Sequence, residues 1–583
     1  MTSLFYLVNH SNDMRIRFML LVPVALAILT GCSGSQNSGG ISGNDRGISL
    51  KLKKQPVLAG KKRNELLIID IPPAGSLEQQ LPVSRVDIKF EKSSALENLS
   101  AIQVYYYEGS DSSSETSGPA GMPSADEGGI SGPSAPALFG SSEKVRNNNR
   151  IKGNIPAGDR ALKIAVSFTS SGKPDLTAKI LVRNIRISFS GGKPVDLQLS
   201  PENKILRFGI ILREAGQDNC DTYRIPGLIT TSSGTLIAVY DNRYNRSKDL
   251  QEDIDIGMSR STDGGESWEP MKVIMDMGGY GGRPERLNGI GDPSILYDHV
   301  TNTIWVAALW MSGGSYDEML WFASGPGMKP EETGQFILVK STDDGISWSD
   351  PVNITGQIKD PDWQLLLQGP GRGTTMTDGT LVFPAQFKAD LGIPALDGGQ
   401  YTCHSTIVYS KDSGRSWHIG KGAKPNTTEA QVIELGDGSL MLNMRDDLNR
   451  RDKSGSNGRA VSVTSDLGQT WTKHPSSNSL LPEPNCMASL IAADMDIGGT
   501  IRKVLFFSNP DNRNTRTNMT IKASLDEGIS WPEEYRLEIY EPEGFGYSCL
   551  SMVDEKTIGI VYEGVRDLYF QKIPVEDILR GLF

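Results

Sequence analysis

Arg224 lies in the segment Tyr223-Arg224-Ile225-Pro226-Gly227-Leu228, which precedes the strand-like run Thr235 to Tyr240. This position puts Arg224 beside a strand start instead of on a solvated face. A planar guanidinium meets a carboxylate through two parallel charge-assisted hydrogen bonds, a geometry that lysine cannot reproduce. Arg224 therefore has the chemistry to capture an anionic group, although one Arg-Ile-Pro segment alone would carry no weight.

Cysteine and histidine give little support to metal chemistry. The chain has five histidines without clustering, and no pair of cysteines has C-x-x-C spacing. The four cysteines beyond the N-terminal region each lie in or beside a strand-like run: Cys220, Cys403, Cys486 and Cys549. A chain of this size does not need disulfide staples, so we expect buried free thiols and no metal or other cofactor.

The scaffold that must position such residues is marked by an internal repeat. The octapeptide Ser/Thr-x-Asp-x-Gly-x-x-Trp occurs five times, at Ser261–Trp268, Ser341–Trp348, Ser410–Trp417, Thr464–Trp471 and Ser524–Trp531. Each copy follows alternating apolar residues, and the spacing leaves room for one small antiparallel sheet per repeat. Repeats of this kind predict a β-propeller.

The repeated octapeptide has a local structural logic. Its Asp can accept hydrogen bonds from nearby backbone N–H groups, and its Gly supplies a positive-φ position. Its Trp is expected to tuck its ring under the hairpin. Five copies of one active site on a single radial fold are implausible, so these Asp residues are predicted to be structural clips.

Length and charge limit the possible architectures and partners. At 583 residues the chain is too long for one hydrophobic core, so at least two domains are expected. With 59 basic and 70 acidic residues the net charge is −11, and no Lys/Arg-rich block occurs. Nucleic acid is therefore not an expected partner. Strand-like runs recur and helical periodicity is scarce, which predicts an all-β protein.

The N-terminus has the pattern of an export signal. Arg15 and Arg17 precede the apolar run Phe18 to Ala27, which is too short for a permanent membrane span. Leu29-Thr30-Gly31-Cys32 resembles the lipobox of bacterial lipoproteins, which implies a signal peptide at 1–31 and acylation of Cys32. An ordinary secretory signal with an incidental cysteine is the alternative. Lipidation would make the protein an exported, membrane-anchored lipoprotein of the periplasm or bacterial cell surface.

Two further regions precede the repeats. Residues 32–47 are Gly/Ser/Asn-rich and are predicted to be a flexible tether. Residues 48–200 alternate apolar and polar side chains as strands do and predict a jelly-roll-like β-sandwich, with a disordered insert at 109–142 and with carbohydrate binding as an open role. Tyr105, Tyr106 and Tyr107 could stack on a sugar, although a strand edge is the commoner use of such residues.

The segment Tyr223-Arg224-Ile225-Pro226 resembles the Phe/Tyr-Arg-Ile-Pro motif of bacterial exo-α-sialidases, which also carry Asp boxes. The resemblance extends from about Arg213 to the C-terminus and, more weakly, into the preceding region. It implies a six-bladed catalytic propeller at 204–583, whose sixth blade lacks a recognisable clip. The implied activity is release of terminal α-linked sialic acids with retention of configuration.

The resemblance implies that three arginines hold the carboxylate of sialic acid. Arg224 is the first, and Arg445, at the end of the run Ser439 to Met444, is the second. Arg516 is our choice for the third because it leads into the strand before the fifth box, with Arg513 as the alternative. For each arginine taken alone, a surface salt bridge is the ordinary explanation.

The same resemblance implies an acid/base residue after an Asp-x-Arg segment. Asp249 takes that role in the stretch from Asp241 to Asp249, and Arg243 is expected to line the pocket. Asp292, within Gly-Asp-Pro-Ser, resembles the family residue that contacts a ring hydroxyl, although turn formation also explains an Asp-Pro. Two other acids compete with Asp249 by sequence: Asp253 and Asp255.

The nucleophile implied by the resemblance is a tyrosine. The anomeric carbon of sialic acid carries a carboxylate, so a neutral phenol avoids the repulsion that a carboxylate nucleophile would meet. Phenol needs a neighbouring base, and Tyr547 with Glu429 match the family positions. Tyr562 and Glu563 are adjacent on a strand, point to opposite faces and are interpreted as structural.

These inferences predict a monomeric exo-α-sialidase acting on sialylated glycoproteins, glycolipids or oligosaccharides. The apolar residues that hold the N-acetyl group are left open, with Trp305, Trp310 and Met311 as candidates whose commoner use is core packing. Two alternative functions stay open. One is a non-catalytic glycan- or protein-binding propeller, and the other is a related enzyme that transfers sialic acid or releases an anhydro product.

Overall fold

The computed structural model describes residues 47–73, 81–108, 135–158 and 160–583. The described chain is built from β-strands, with only two four-residue α-helices, α1 (Leu320–Ala323) and α2 (Thr355–Ile358), which confirms the all-β prediction. No helix in these ranges is long and apolar enough to cross a membrane. The predicted signal peptide, the acylated Cys32 and nearly all of the tether lie outside the described residues, as does most of the predicted insert.

The N-terminal part of the described chain forms two sheets. Its strands are β1 (Ser49–Leu52), β2 (Val57–Ala59), β3 (Asn64–Ile71), β4 (Val83–Phe90), β5 (Leu99–Glu108), β6 (Ala137–Ser142), β7 (Asn148–Ile155), β8 (Leu162–Ser170), β9 (Lys179–Phe189), β10 (Val195–Leu197) and β11 (Ile205–Arg213). One sheet has the order β1-β3-β8-β5-β6, and β11-β9-β4-β7 belong to the other. Both sheets contribute to one apolar cluster because alternate side chains of strands such as β9 are buried.

The predicted insert at 109–142 is too long at its C-terminal end. Residues Ala137–Ser142 form β6, which pairs antiparallel with β5. Phe139 is buried in the apolar cluster, and this contact accounts for order in a stretch that composition alone assigned to disorder. Tyr105 to Tyr107 lie in β5, and Tyr106 packs against the same cluster.

Strand β11 joins the N-terminal sheets to the rest of the chain. Its first residues, Ile205 to Arg207, pair with β9, and Ile210 to Arg213 pair with the last strand of the chain. The predicted boundary between 200 and 204 therefore falls just before a strand that belongs to both regions.

The remaining strands form six successive groups. Group 1 contains β12 (Thr222–Thr230), β13 (Leu236–Arg243), β14 (Ile254–Ser261) and β15 (Lys272–Met275), and group 2 contains β16 (Ile290–Asp298), β17 (Thr303–Trp310), β18 (Gln335–Ser341) and β19 (Val352–Asn353), with β21 (Gly371–Arg372) as a further partner of β16. Group 3 contains β20 (Leu365–Gln368), β22 (Thr374–Thr375), β23 (Leu381–Ala389), β24 (Thr402–Ser410), β25 (His418–Ile419) and β26 (Lys424–Pro425), and group 4 contains β27 (Thr427–Glu434), β28 (Leu440–Asp446), β29 (Ala460–Thr464) and β30 (Thr472–Lys473). Group 5 contains β31 (Ser489–Ile497), β32 (Thr500–Pro510), β33 (Met519–Ser524) and β34 (Arg536–Tyr540), and group 6 contains β35 (Ser548–Asp554), β36 (Thr557–Glu563) and β37 (Leu568–Pro574) together with β11.

In every group, one strand contacts one strand of each of the two neighbouring groups. Strand β12 contacts β16, β16 contacts β23, and β23 contacts β27. Strand β27 contacts β31, β31 contacts β35, and β35 contacts β12 again. The series of contacts therefore closes on itself, and these six strands surround a common centre.

The five repeated octapeptides share one hydrogen-bonding scheme. In the first copy, Ser261 Oγ donates to Asp263 Oδ1 at 2.9 Å, and Ser267 N–H donates to the same oxygen at 2.9 Å. Gly265 N–H donates to Ser261 Oγ at 2.9 Å, and Gly265 has a φ of +88°. The equivalent bonds recur around Asp343, Asp412, Asp466 and Asp526. The predicted structural role of these residues is confirmed.

Each octapeptide connects the third strand of its group to the fourth, and its tryptophan packs against an apolar cluster of the fold. Trp417, for example, meets Trp305 edge-on with ring centroids 5.8 Å apart, a favourable arrangement for two aromatic rings. The clip therefore ties the outer hairpin of a group to its core. The four cysteines of the described chain are free and buried, as predicted.

Candidate active site

A cavity of about 290 Å³ lies where the six groups meet. Every group contributes to its lining. The polar and charged residues that line it are Arg224, Asp249, Asp292, Gln386, Asp397, Thr428, Glu429, Arg445, Arg450, Arg516 and Tyr547. Seven of the eight catalytic and substrate-binding residues predicted from the sequence are in this set, and the eighth, Arg243, lies behind it.

Irregular backbone aims three of these side chains into the cavity. The strand pairing shifts register between Arg224 and Gly227 in β12, between Gly291 and Ser294 in β16, and between Thr427 and Ala430 in β27. Arg224, Asp292 and Glu429 lie at these three shifts. A bulge redirects a side chain that regular pleating would send elsewhere.

Arg224 is held by two carboxylates. Its Nε donates to Glu563 Oε1 at 3.1 Å, and its Nη1 donates to Asp249 Oδ1 at 3.2 Å. Burial acts to lower the pKa of Arg224, but Glu563 and Asp249 outweigh it and raise that pKa above the usual range. The guanidinium also lies 4.4 Å from the centre of the Phe545 ring and 5.2 Å from that of Tyr547. Arg224 is thus a fixed cation at the cavity wall.

Glu563 orients two residues of the site at once. One of its oxygens accepts from Arg224 and from the backbone N–H of Ile225 at 2.9 Å. The other accepts from the backbone N–H of Tyr547 at 2.8 Å. Ile225 has a φ of +57°, an unusual conformation for a β-branched residue, and its hydrogen bond to Glu563 helps to maintain it. The sequence interpretation of Glu563 as purely structural was too narrow, because it positions both the arginine and the tyrosine.

Tyr547, Glu429 and Arg445 form a contiguous triplet. The Tyr547 hydroxyl donates a short hydrogen bond to Glu429 Oε1, and Arg445 Nη1 donates to Glu429 Oε2 at 2.7 Å. Arg445 Nη1 also donates to the Tyr547 hydroxyl oxygen at 3.2 Å. Glu429 and Arg445 of group 4 thus both contact the phenol of Tyr547, which directly precedes β35 of group 6, and the pairing of Tyr547 with Glu429 is the one predicted from the sequence.

The charges around this triplet favour an ionised glutamate and a neutral phenol. Burial acts to raise the pKa of Glu429, but Arg445 outweighs it and holds that pKa below its usual range. Burial, followed by the charge of Glu429, raises the pKa of Tyr547 well above that of free tyrosine. The pair therefore has an acceptor ready to take the phenolic proton when the oxygen attacks.

Arg516 is the third arginine in the cavity. Its Nη1 donates to the carbonyl oxygen of Phe545 at 2.7 Å, and its Nη2 donates to that of Asn485 at 3.3 Å. It forms no ion pair with a carboxylate of the described chain, so its charge is available to an anionic ligand. The alternative, Arg513, donates to the carbonyl oxygens of Asn457 and Gly455 and does not line the cavity.

Asp249 lies in the loop between β13 and β14 and is half exposed, with 52% of its side chain accessible. Arg243 Nη1 donates to Asp249 Oδ1 at 2.7 Å. Partial withdrawal from water acts to raise the pKa of Asp249, but Arg243 and Arg224 lower it to about 2. Of the three acids that competed by sequence, Asp249 lines the cavity, whereas neither Asp253 nor Asp255 does.

The prediction that Arg243 lines the pocket was wrong. Arg243 is 1% exposed and lies behind Asp249, where it also pairs with Asp241 at 2.8 Å. Asp241 Oδ1 in turn accepts from the backbone N–H of Asp292 at 2.9 Å. Arg243 therefore orients the acids that face the cavity, because the alternation of β13 turns its side chain inward.

Asp292 lies in an environment that shifts its pKa in the direction opposite to the shift at Asp249. Burial and then the negative charges of Asp241 and Asp249 raise its pKa well above the usual range for a carboxyl group. A protonated carboxyl group can donate a hydrogen bond as well as accept one. The described residues contain no cluster of three or more histidine, cysteine or acidic side chains that could hold a metal ion.

Comparison with known proteins gives consistent matches. Residues 234–561 match the family model described as a BNR repeat-like domain. A sialidase of Bacteroides fragilis is 45% identical over 497 residues, covering 83% of this chain and 88% of the relative. The chain belongs to the sialidase family. A sialidase of Paraclostridium sordellii is 31% identical over 61% of this chain and 84% of its own length.

A solved sialidase structure agrees with these sequence matches. The structure of a Hadza microbial sialidase superimposes with a TM-score of 0.79 at 38% identity. The match covers 91% of this chain and 99% of that one, so it includes the N-terminal sheets as well as the six groups. The family resemblance inferred from the arginine motif and the Asp boxes is confirmed.

One wall of the cavity in this sialidase-family chain is apolar. Leu250, Leu309, Leu320, Leu365 and Leu367 belong to one apolar cluster and also line the cavity. Trp305 and Trp310 belong to other clusters and do not line it, so the sequence candidates were core residues. Met311 belongs to the wall cluster but is itself absent from the cavity lining.

A buried ion pair between Lys388 and Asp397, neither of which was a candidate from the sequence, supports this apolar side. Lys388 is fully buried, and its Nζ donates to Asp397 Oδ2 at 3.0 Å and lies 4.3 Å from the centre of the Trp321 ring. Trp321 Nε1 donates to the same Asp397 oxygen at 2.7 Å. A lysine inside the apolar strand Leu381–Ala389 was the available signal, since a buried charge needs a partner.

Proposed function

We propose that this chain is an exo-α-sialidase that removes terminal α-linked sialic acid from glycoproteins, glycolipids or oligosaccharides with retention of configuration. The observation that carries the proposal is the contact of the Tyr547 hydroxyl with Glu429 and Arg445 inside a cavity that Arg224 and Arg516 also line. The names of the relatives support the same activity.

In this proposal the three guanidinium groups bind the substrate carboxylate. Arg516 contributes a charge that no carboxylate of the described chain neutralises, and Arg224 and Arg445 contribute fixed donors on two other sides. Charge-assisted hydrogen bonds of this kind are the strong ones in proteins. The apolar wall around Leu309 and Leu367 is suited to the methyl group of the N-acetyl substituent, and Asp292 to a ring hydroxyl.

The first chemical step forms a covalent intermediate. The Tyr547 oxygen attacks the anomeric carbon while its proton passes to Glu429. The bond between the anomeric carbon and the leaving oxygen breaks, and that oxygen takes a proton from Asp249. The phenol is preferred over a carboxylate because the attacked carbon bears the substrate's own carboxylate, whose negative charge would repel a carboxylate nucleophile.

The second step reverses the roles of the same groups. Asp249 takes a proton from water, the water oxygen bonds to the anomeric carbon, and the Tyr547 oxygen leaves with a proton from Glu429. Two displacements at one carbon give net retention. We propose that the bound carboxylate offsets the charge of Arg224, so that the pKa of Asp249 rises from about 2 when substrate enters.

For the architecture, we propose that groups 1 to 6 are the blades of a six-bladed β-propeller over 204–583. The closed series of contacts from β12 round to β35 supports this reading. Group 6 has no Asp box and is completed by β11. We propose that the N-terminal sheets form a β-sandwich, that the mature protein is a monomer, and that acylated Cys32 anchors it to a bacterial membrane from the periplasm or the cell surface.

Incubation of the purified protein with a sialyl-lactose tests the proposal. We expect free sialic acid and lactose, and we expect the α-anomer as the first product in a proton NMR time course. A well-folded protein that released no sialic acid from mildly acidic to neutral pH would favour a binding propeller. An anhydro product, or sialic acid on an added acceptor sugar, would favour the transferase alternative.

A further inference from the structure

A second cavity, away from the active site, lies between the N-terminal sheets and the last two groups. It has a volume of about 440 Å³ and is lined by residues of the β2–β3 region, by Tyr107 of β5, and by Tyr540 of β34 and Tyr569 of β37. None of its lining residues lines the active-site cavity. We call it the interdomain groove.

The interdomain groove is basic in an otherwise acidic protein. Lys53, Lys61 and Arg63 line it against one acid, Glu65, whereas the whole chain carries a net charge of −11. The next lysines along the chain, Lys51 and Lys54, form ion pairs with Glu541 and Glu538. Neither Lys53 nor Lys61 forms an ion pair with any acid of the described ranges, so both charges are open to a ligand.

Arg63 is held in place by Tyr107 and Glu65 of the groove and by Tyr105, which lies outside its lining. Its Nη2 donates to the Tyr107 hydroxyl at 2.8 Å, and its guanidinium lies 3.9 Å from the centre of the Tyr105 ring. It also pairs with Glu65, whose Oε2 accepts from the Tyr107 hydroxyl at 2.8 Å. Because Glu65 can balance only one positive charge, the groove retains an excess of two.

The other side of the groove has two tyrosines, of which Tyr540 is half-buried and Tyr569 is 6% exposed. The rings of Tyr540 and Tyr569 lie with centroids 5.7 Å apart, and both residues line the groove. The hydroxyl of Tyr569 donates to Asp567 at 3.2 Å, and Asp567 itself does not line the groove. Aromatic surface beside fixed hydrogen-bonding groups suits a sugar, and an excess of positive charge suits an anionic one.

We propose that the interdomain groove binds an acidic oligosaccharide, one whose sugar carries a carboxylate or a sulfate. Such a ligand would occupy the groove while another chain of the same glycoconjugate enters the active site. Linking two weak sites on one multivalent substrate raises overall affinity without any new contact at the catalytic centre. The inference concerns attachment only, and it does not depend on the catalytic steps proposed above.

The test uses the full chain and the double variant K53E/K61E, with K173E/K193E as the matched control. Lys173 and Lys193 are exposed in the β8–β9 and β9–β10 connections of the N-terminal region, lie outside the groove, and give the same change of net charge. The first readout is ligand-observed NMR with sulfated lactose, with neutral lactose as the reference. We expect binding of sulfated lactose by the parent and the control, loss of that binding in K53E/K61E, and no comparable binding of lactose.

The second readout is catalysis on two substrates. For K53E/K61E we expect an unchanged kcat/KM on a small fluorogenic sialoside and a fall of up to about 100-fold on a sialylated mucin, the lower end of the gain that a second attachment can give. Calorimetry of sialyl-lactose binding to Tyr547→Phe then tests whether the groove binds a sugar whose acidic group is a carboxylate. Two binding sites in Tyr547→Phe, reduced to one when K53E/K61E is added, would identify a carboxylated sugar as a ligand.

Three results would overturn the inference: no binding of either acidic sugar outside the active site, equal binding of lactose, or equal losses in K53E/K61E and K173E/K193E. Hydrolysis of the small sialoside separates this failure from failure of the proposed function. Intact hydrolysis with an inert groove would refute the groove alone, whereas groove binding without hydrolysis would refute the catalytic proposal alone.

Discussion

The carboxylates of the Asp boxes and those of the active-site cavity are held in two different ways. Asp343 accepts hydrogen bonds from Ser341 and Ser347, all within one octapeptide, and these bonds lower its pKa to about 2. Glu429 is held by Arg445 and Tyr547, which lie 16 and 118 residues away along the chain. One set of acids is organised by neighbours in sequence and the other by closure of the fold.

This difference separates structural acids from chemical ones. An Asp box has all its partners in place once its hairpin forms, so each copy contributes a small and independent share of stability. The cavity acids also have neighbours in other groups, as Glu429 has Tyr547 and Asp292 has Asp241, and the pKa values of two of them move in opposite directions, down for Asp249 and up for Asp292. Divergent pKa values among neighbouring acids are typical of catalytic sites.

The largest effect is expected from Tyr547→Phe, which removes the phenolic oxygen and leaves the ring. We expect kcat on sialyl-lactose to fall by at least about 100-fold, because the proton transfer between Tyr547 and Glu429 is lost. Tyr562→Phe is the control, since this buried hydroxyl donates to Gln571 outside the cavity. Equal activity of the two variants would contradict a catalytic role for Tyr547.

The next effect is expected from Glu563→Gln. Loss of this negative charge leaves the Arg224 guanidinium buried with only Asp249 as its acidic partner. We expect a fall of about 3 kcal/mol in the free energy of unfolding, together with a higher KM. Denaturant unfolding and steady-state kinetics measure the two changes. Glu555→Gln, at an exposed position, is the control, and an unchanged KM in Glu563→Gln would show that Arg224 keeps its place without this partner.

A smaller effect is expected from Arg516→Lys. The ammonium keeps the charge but loses the forked geometry, so we expect kcat/KM to fall by about tenfold, or roughly 1.4 kcal/mol. Arg513→Lys is the matched control and should change kcat/KM less than about twofold, because Arg513 does not line the cavity. The opposite result would move the third arginine to Arg513.

The smallest effect is expected from Asp343→Asn, in an Asp box. The folded protein holds the pKa of Asp343 at about 2, below its ordinary value, so its contribution to stability is present above about pH 4 and is lost as the pH falls through 2. Because this side chain is exposed, we expect a loss of only about 0.5–1 kcal/mol at neutral pH and unchanged kcat. Chemical denaturation at pH 7 and pH 3 should show a smaller difference between parent and variant at the lower pH. Asp350→Asn, also exposed, is the control, and a fall in kcat for Asp343→Asn would refute the purely structural role.

Much of the scaffold could be predicted because its signals are local. The Asp boxes predicted one sheet each, and the positive φ of Gly265 and of its counterparts follows from the motif itself. Arg224, Arg445, Tyr547 and Glu429 could be selected by resemblance, and they do meet in one cavity.

The remainder depended on contacts that no local pattern contains. Arg243 was assigned to the cavity lining because sequence cannot tell which face of β13 it occupies relative to the loop carrying Asp249. Glu563 was set aside because its partner, Arg224, is 339 residues away. The strand at Ala137–Ser142 was missed because a Gly/Ser/Pro-rich neighbourhood masked one buried phenylalanine, Phe139.

Strand β11 makes the two halves of this protein inseparable in practice. Its N-terminal residues complete a sheet of the first half, and its C-terminal residues supply the edge of the sheet that begins just after Tyr547. A truncation that removed the first half cleanly would have to cut this shared strand, and one that spared it would leave apolar residues such as Leu206 and Phe208 without cover. The N-terminal sheets therefore support the half of the chain that contains the active-site cavity, and they are poor candidates for deletion or for transplantation to another enzyme.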